Sequence, residues 1–471
     1  CKTNQIIIIM RRKLLFLLFF CIATIAKAEN EPVITLNVEV NEAKITLGFE
    51  VSTPNTKLSI DWGDGVLVET ETIQTPDPYL NATDVVVTPK GEGLIKIYGE
   101  NIVYFSCAPN AKEAKVTALD VTKAVHLTEL YANTNKLTSL DVSKNTKLQI
   151  LYCGGNPITA LDLTNNISLI YLNANDMGIN KLDVSKCPEL DYLSFNNNKL
   201  EALDISKNTK LKKLYCLNNQ IKSIDFSKNT ILDFVNVNNN QLTSIDVTAC
   251  PALTTLFCMG NQIKEIKVGN IEKTLNCSKN KLTLNSLPKR SDSGYTYAPQ
   301  EALTIAESIS TNQELDLSAQ DNIKGVTETA QKTTYTWKTA DGATTLVAGT
   351  DYTEKNGKFT FLTSQNQPVY CEMTSDAFPK FTGTNVFKTT PISIQKLTGV
   401  QDNISDNIII MPNKGEVTIE GLKIADSILI YTINGKKVID TKASNDTMTF
   451  NLAEDNYIVR INNKVYKTIV L

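Results

Sequence analysis

The chain has 471 residues, 42% of them apolar, with 47 Lys plus Arg against 50 Asp plus Glu. The apolar fraction excludes a disordered chain and the length suits about three domains. Near-balanced charge excludes the basic surface that binds nucleic acid or an acidic membrane. Ten cysteines in such a length fall well below the density of a disulfide-stapled scaffold.

Near the N-terminus, Met10 is followed by Arg11, Arg12 and Lys13, the apolar run "LLFLLFFCIATI" and the small-residue site Ala26-Lys27-Ala28. This is the pattern of a secretory signal peptide, residues 1–28, with Met10 as its start and a mature chain beginning near Glu29. The apolar run is too short for a spanning helix of about 20 residues, and no later stretch approaches that length, so no integral membrane span is expected. Residues 29–101 alternate in short strands such as "VITLNVEV" and "KITLGFEV", with "DWGDG" as a turn. They predict a small β-sandwich that also caps the segment after it. "SIDWGDG" resembles the turn of PKD-like domains, where Asp61 and Asp64 are candidate calcium ligands; the alternative is a glycine-bearing hairpin turn.

From there a strict period governs the chain. Leu127, Leu148, Leu169, Leu190, Leu211, Leu232 and Leu253 lie 21 residues apart, in units such as "LKKLYCLNNQIKSIDFSKNTI". The unit resembles the leucine-rich repeat over residues 102–287, with nine strands at Phe105, Leu130, Leu151, Leu172, Leu193, Leu214, Val235, Leu256 and Leu275. One coil cannot bury its own leucines, so stacked coils share an apolar column and a parallel sheet. Cys153, Cys216 and Cys258 occupy an inward position filled elsewhere by Ala132, Ala174, Phe195 and Val237. Coils about 4.8 Å apart place Cys153 roughly 14 Å from Cys216, beyond the ~7 Å limit for a disulfide. Buried free thiols are expected.

Three further columns share the period. Cys187 and Cys250 stand where Asn145, Asn208 and Asn229 stand in other coils. Asn135, Asn156, Asn198, Asn219, Asn240, Asn261 and Asn280 follow the strands at a fixed offset, where an amide satisfies backbone groups of two coils. Met177 breaks that series, predicting a rearranged rung around Gly178. Asp120, Asp141, Asp162, Asp183, Asp204, Asp225 and Asp246 form the third column, which reads as turn-capping carboxylates or as a row of calcium sites. One carboxylate per coil favours the turn, and no metal site is expected. Strand alternation sends Tyr131, Tyr152, Tyr171, Tyr192, Tyr215, Phe234 and Phe257 to the concave face. An apolar patch of that extent predicts a protein, peptide or glycan docking surface; the alternative is that the rings only stabilise the sheet.

Residues 288–396 are again strand-like. Trp337 in "YTW" and Cys371 in "VYC" resemble the strand C tryptophan and strand F cysteine of immunoglobulin-like sandwiches, with Leu315 or Leu317 in place of the partner cysteine. Residues 397–471 contain "MPNKGEVTIEG", "INGKKV" and "NYIVRINNKVYKTIVL". They resemble the C-terminal sorting domain of the type IX secretion system at Pro412, Asn413, Gly415, Gly435, Lys436, Tyr457 and Lys467; Lys414 and Asp455 depart from the family pattern. That resemblance implies the type IX secretion machinery as a partner and export to the outer-membrane surface or medium.

The expected fold class is therefore mainly β, a leucine-rich repeat solenoid of about nine coils flanked by β-sandwich domains. His126 is the single histidine, and no nucleotide-binding, metalloprotease or nucleophile-elbow motif occurs. The reading is a non-enzymatic, adhesin-like binder without a cofactor; the alternatives are a glycan-capturing accessory protein and a structural envelope component.

Overall fold

The structure, a computed structural model, describes residues 31–40, 43–53, 56–71, 83–109, 113–291, 293–327, 329–396, 408–413, 415–432, 435–453, 456–462 and 464–470. The expected signal peptide, Lys414 and Asp455 lie outside the described residues. The protein is mainly β, and nine parallel strands form its solenoid. They are β7 (Ile102–Ser106), β9 (Glu129–Tyr131), β10 (Ile150–Tyr152), β11 (Tyr171–Asn173), β12 (Tyr192–Ser194), β13 (Lys213–Tyr215), β14 (Phe234–Asn236), β16 (Thr255–Phe257) and β18 (Thr274–Asn276). Each central residue, from Phe105 through Leu275, is buried beneath its neighbours. No helix among the described residues is long and apolar enough to cross a membrane.

Chain contacts divide the molecule into two compact units, residues 1–303 with 322–333 and 374–387, and residues 304–321 with 334–373 and 388–471. In the first, β1 (Ile34–Val38), β3 (Lys57–Asp61), β4 (Leu67–Glu71), β6 (Leu94–Tyr98) and β8 (Val116–Asp120) form one sheet in the order β4-β3-β6-β1-β8. The remaining N-terminal strands, β2 (Ile45–Val51) and β5 (Thr83–Val87), extend the solenoid sheet instead. Antiparallel pairing of β2 with β7 and of β1 with β8 satisfies the backbone edges of the first coil. β15 (Ser244–Asp246) and β17 (Glu265–Lys267) make a second short parallel pair.

The other end of the sheet continues past the predicted last coil. β19 (Tyr295–Thr296) pairs with β18 in parallel, and Gln300 donates to Cys277 O at 2.9 Å while accepting from Asn280 N at 3.1 Å. Tyr295, Tyr297 and Gln300 thus stand where Leu275, Cys277 and Asn280 stand one coil earlier. The Tyr297 ring meets Phe378 and Phe381 edge-on at 5.2 Å each, and Lys380 N donates to its hydroxyl at 2.8 Å.

In the second unit, the strands Thr334–Thr339 and Val369–Thr374 share a sheet and carry buried Trp337 and Cys371. Leu315 and Leu317 are buried as well. Farther along, a three-stranded and a four-stranded sheet share a core of Ile410, Val417, Ile419, Ile428, Ile430, Tyr457 and Val459.

Candidate interaction face

The repeat first builds a scaffold on which side chains recur at fixed height. All eight cysteines among the described residues are buried and free. Burial pushes Cys107, Cys153, Cys216 and Cys277 up to about 12, so the nucleophilic thiolate is suppressed. Asn219 is representative of the buried amide column. Its Oδ1 accepts from Leu200 N at 3.1 Å and its Nδ2 donates to Phe195 O and Cys216 O at 3.0 and 3.2 Å. At the Met177 break, Asn198 Oδ1 accepts from Met177 N, Gly178 N and Ile179 N at 3.3, 2.9 and 3.2 Å. Gly178, at φ +85°, gives the backbone the conformation this convergence needs. In the second column, Asn208 Nδ2 donates to Val184 O and Cys187 O, whereas Cys187 Sγ makes one 3.8 Å contact to Leu163 O.

The carboxylates cap turns. Each Asp of the column accepts from the backbone N–H two residues on, as Asp204 does from Ser206 N at 2.8 Å. Turn hydrogen bonds hold the carboxyls of Asp141, Asp162, Asp183, Asp204, Asp225 and Asp246 below their ordinary value. Asp61 is spent similarly, accepting from Gly63 N and Gly65 N at 2.9 and 2.8 Å, and Asp64 pairs with Lys90 at 2.6 Å. No group of three or more potential metal ligands occurs among the described residues. His126 is exposed, with Nδ1 3.1 Å from Lys147 Nζ.

The outward face of the sheet carries the seven predicted rings, all half-buried. Register shows that they do not form one straight column. Tyr171, Tyr192 and Phe234 precede the buried central residue, whereas Tyr131, Tyr152, Tyr215 and Phe257 follow it. Every coil from β9 to β16 nonetheless supplies one ring, and successive rings meet across the two positions. Centroid separations from Tyr131 to Phe257 are 4.8, 4.9, 4.0, 5.2, 4.6 and 5.8 Å. Interplanar angles stay within 6–32° as far as Phe234. Tyr104, which the repeat pattern did not single out, joins the row 5.2 Å from Tyr131. Each interior ring therefore spends both faces on neighbours and offers its edge outward. Burial, then adjacent hydroxyls, raises Tyr171; burial, then Glu129, raises Tyr131. Glu129 Oε2 accepts the Tyr131 hydroxyl proton at 3.2 Å.

A second ladder borders the rings and escaped the sequence reading. Asp176, Asn197, Asn218 and Asn239 occupy turns with φ of 53–57°, a conformation that Asn and Asp tolerate. Asn197 donates to Asp176 Oδ1, Asn218 to Asn197 Oδ1 and Asn239 to Asn218 Oδ1, at 2.7, 2.6 and 2.7 Å. The 21-residue recurrence of Asn immediately before the buried asparagine was its signal.

The C-terminal motif residues gather mostly at one end of their two sheets. Pro412, Asn413 and Gly415 lie at the hairpin joining Ile409–Asn413 to Glu416–Glu420, and Leu452 N donates to Gly415 O at 3.0 Å. The Tyr457 hydroxyl donates to Ala453 O at 3.0 Å, while Tyr457 pairs in register with Thr432. Thr432 O accepts from Gly435 N at 2.8 Å and Thr432 Oγ1 from Lys436 N at 3.2 Å. Lys467 sits apart, within Lys464–Val470.

No protein-family model matches the chain. No curated protein matches it in sequence. Among solved structures, it is similar to the functional domain of InlJ from Listeria monocytogenes, which includes a cysteine ladder, at 25% identity and a TM-score of 0.39, over 63% of this chain and 82% of that one. It is also similar to YopM from Yersinia enterocolitica, at 24% identity and a TM-score of 0.28, over 39% of this chain and 45% of that one. The leucine-rich effector YopM from Yersinia pestis gives 23% identity and a TM-score of 0.29, over 40% of this chain and 57% of that one.

Proposed function

We propose that this chain is an exported leucine-rich repeat protein, displayed at the cell surface or released, that binds a host or bacterial protein through its outward ring row, as an adhesin does. The observation carrying this reading is the unbroken series of half-buried rings, one per coil, at 4.0–5.8 Å spacing. Rigid amphipathic rings on a fixed sheet lose little entropy when a partner covers them. The glycan-capturing alternative needs open ring faces for a sugar to stack on, and here neighbouring rings occupy them. A purely structural role predicts that removing rings lowers stability and nothing else. The experiment is a pull-down of host and bacterial surface proteins beside a glycan array, using wild type and Tyr152→Ala/Tyr215→Ala. Protein capture lost in a variant that still unfolds in one cooperative transition well above the assay temperature supports the proposal; glycan capture, or unchanged protein capture, sinks it.

Export by the type IX route belongs to the same proposal, together with a domain series of signal peptide (1–28), capping β-sandwich (29–101), solenoid (102–287), immunoglobulin-like sandwich (288–396) and sorting domain (397–471). Supporting it are the N-terminal charge and apolar pattern and the clustering of Pro412, Asn413, Gly415, Gly435, Lys436 and Tyr457 around bonded turns. Removal of 397–471 should leave the protein in the periplasm.

A further inference from the structure

Pairing register arranges one line of outward side chains along the sheet. It runs Glu50, Tyr104, Glu129, Ile150, Tyr171, Tyr192, Lys213, Phe234. Only three members are charged: two carboxylates flank Tyr104 at one end, and one ammonium stands four strands beyond Glu129. Among the described residues none of the three takes part in an ion pair. Several acids elsewhere in the same unit do have a cation, as in Glu39 with Lys136, Glu69 with Lys57, Asp191 with Lys212 and Glu201 with Lys222. Burial, and then the charge of Glu129, raises the Glu50 carboxyl, since desolvation and a like charge both disfavour the ionised form.

We propose that the partner presents an extended segment with a lysine or arginine seated between Glu50 and Glu129 and an aspartate or glutamate on Lys213, its apolar side chains lying along the rings. This rests on the reading of the ring row as a docking face. Geometry sets the spacing. A cation between Glu50 and Glu129 lies over Tyr104, five strand steps of about 4.8 Å from Lys213, roughly 24 Å, which about seven extended residues span at ~3.3 Å each. The cation would also meet the Tyr104 ring, adding cation–π attraction to two charge-assisted hydrogen bonds.

The test is selection of random twelve-residue peptides, displayed on phage, against the full-length protein, against Tyr152→Ala/Tyr215→Ala, and against Glu50→Gln/Glu129→Gln. Glutamine keeps the acceptor for the Tyr131 hydroxyl. The glutamine variant should melt as the wild type does; the tyrosine variant, which loses two stacked rings, should melt at a lower temperature but still in one cooperative transition. Peptides enriched on the wild type should carry a basic and an acidic residue separated by about seven positions, in either chain direction. They should be lost on the tyrosine variant and bind the glutamine variant about tenfold more weakly, with a smaller difference at high salt. Enriched peptides that need the tyrosines but lack the charge pair would overturn this inference and leave the docking face standing. Peptides indifferent to the tyrosines, or no enrichment, would overturn both.

Discussion

Asn219 joins two coils through one amide: its Oδ1 accepts a hydrogen bond from Leu200 N, and its Nδ2 donates to Phe195 O in the preceding coil and Cys216 O in its own. Replacing it with alanine orphans the buried Leu200 N–H, at about 1–3 kcal/mol, while Phe195 O keeps Asn198 and Cys216 O keeps Asn240 as donors. Asn219→Ala should therefore lower unfolding free energy by roughly 1–3 kcal/mol, read from the urea midpoint, whereas Asn218→Gly on the exposed ladder, where glycine accepts the positive φ, should stay within about 1 kcal/mol. The amide column and its break at Met177 were legible because a 21-residue recurrence of one polar type between apolar strands leaves little else for it to do. Gln300 was not. It follows Asn280 by 20 residues, carries one more methylene, and sits behind tyrosines rather than the leucine and cysteine of its predecessors.

At the scale of elements, the strands centred on Leu130 through Leu275 were readable from the repeat, and so was the outward direction of their rings. Their arrangement was not, since only pairing register reveals that the rings alternate between two positions and still stack. The turn column makes a pH prediction. Six of its aspartates have carboxyls below their ordinary value in the folded state, against about 3.9 when unfolded. Their contribution is complete above that unfolded value and disappears as pH falls through the folded values. The melting temperature should hold between pH 7 and 5 and decline below about pH 4, and calcium should not raise it. At the far end, Phe381 covers Tyr297 from a segment that composition alone could not attach to the solenoid. Phe381→Ala should cost about 3–5 kcal/mol and speed amide exchange first around residues 275–300.

For the whole molecule, in-step stacking carries every other inference. Coils of equal length bury the thiols, align the amides and set the rings at contact distance; a slip of one residue would turn the ring positions inward and the cysteines outward. Equal spacing in the sequence made this much legible, while the pairing of β2 and β1 onto the first coil depended on long-range contacts that no local pattern encodes. The most direct measurement is mass-spectrometric labelling of Cys107, Cys153, Cys216, Cys258 and Cys277 with iodoacetamide in native buffer and across a denaturant series. All five should remain unmodified in the native protein and become reactive together as the solenoid unfolds. Rapid native labelling of Cys153 or Cys216, or a mass showing them bridged, would contradict the stacking on which the docking face depends.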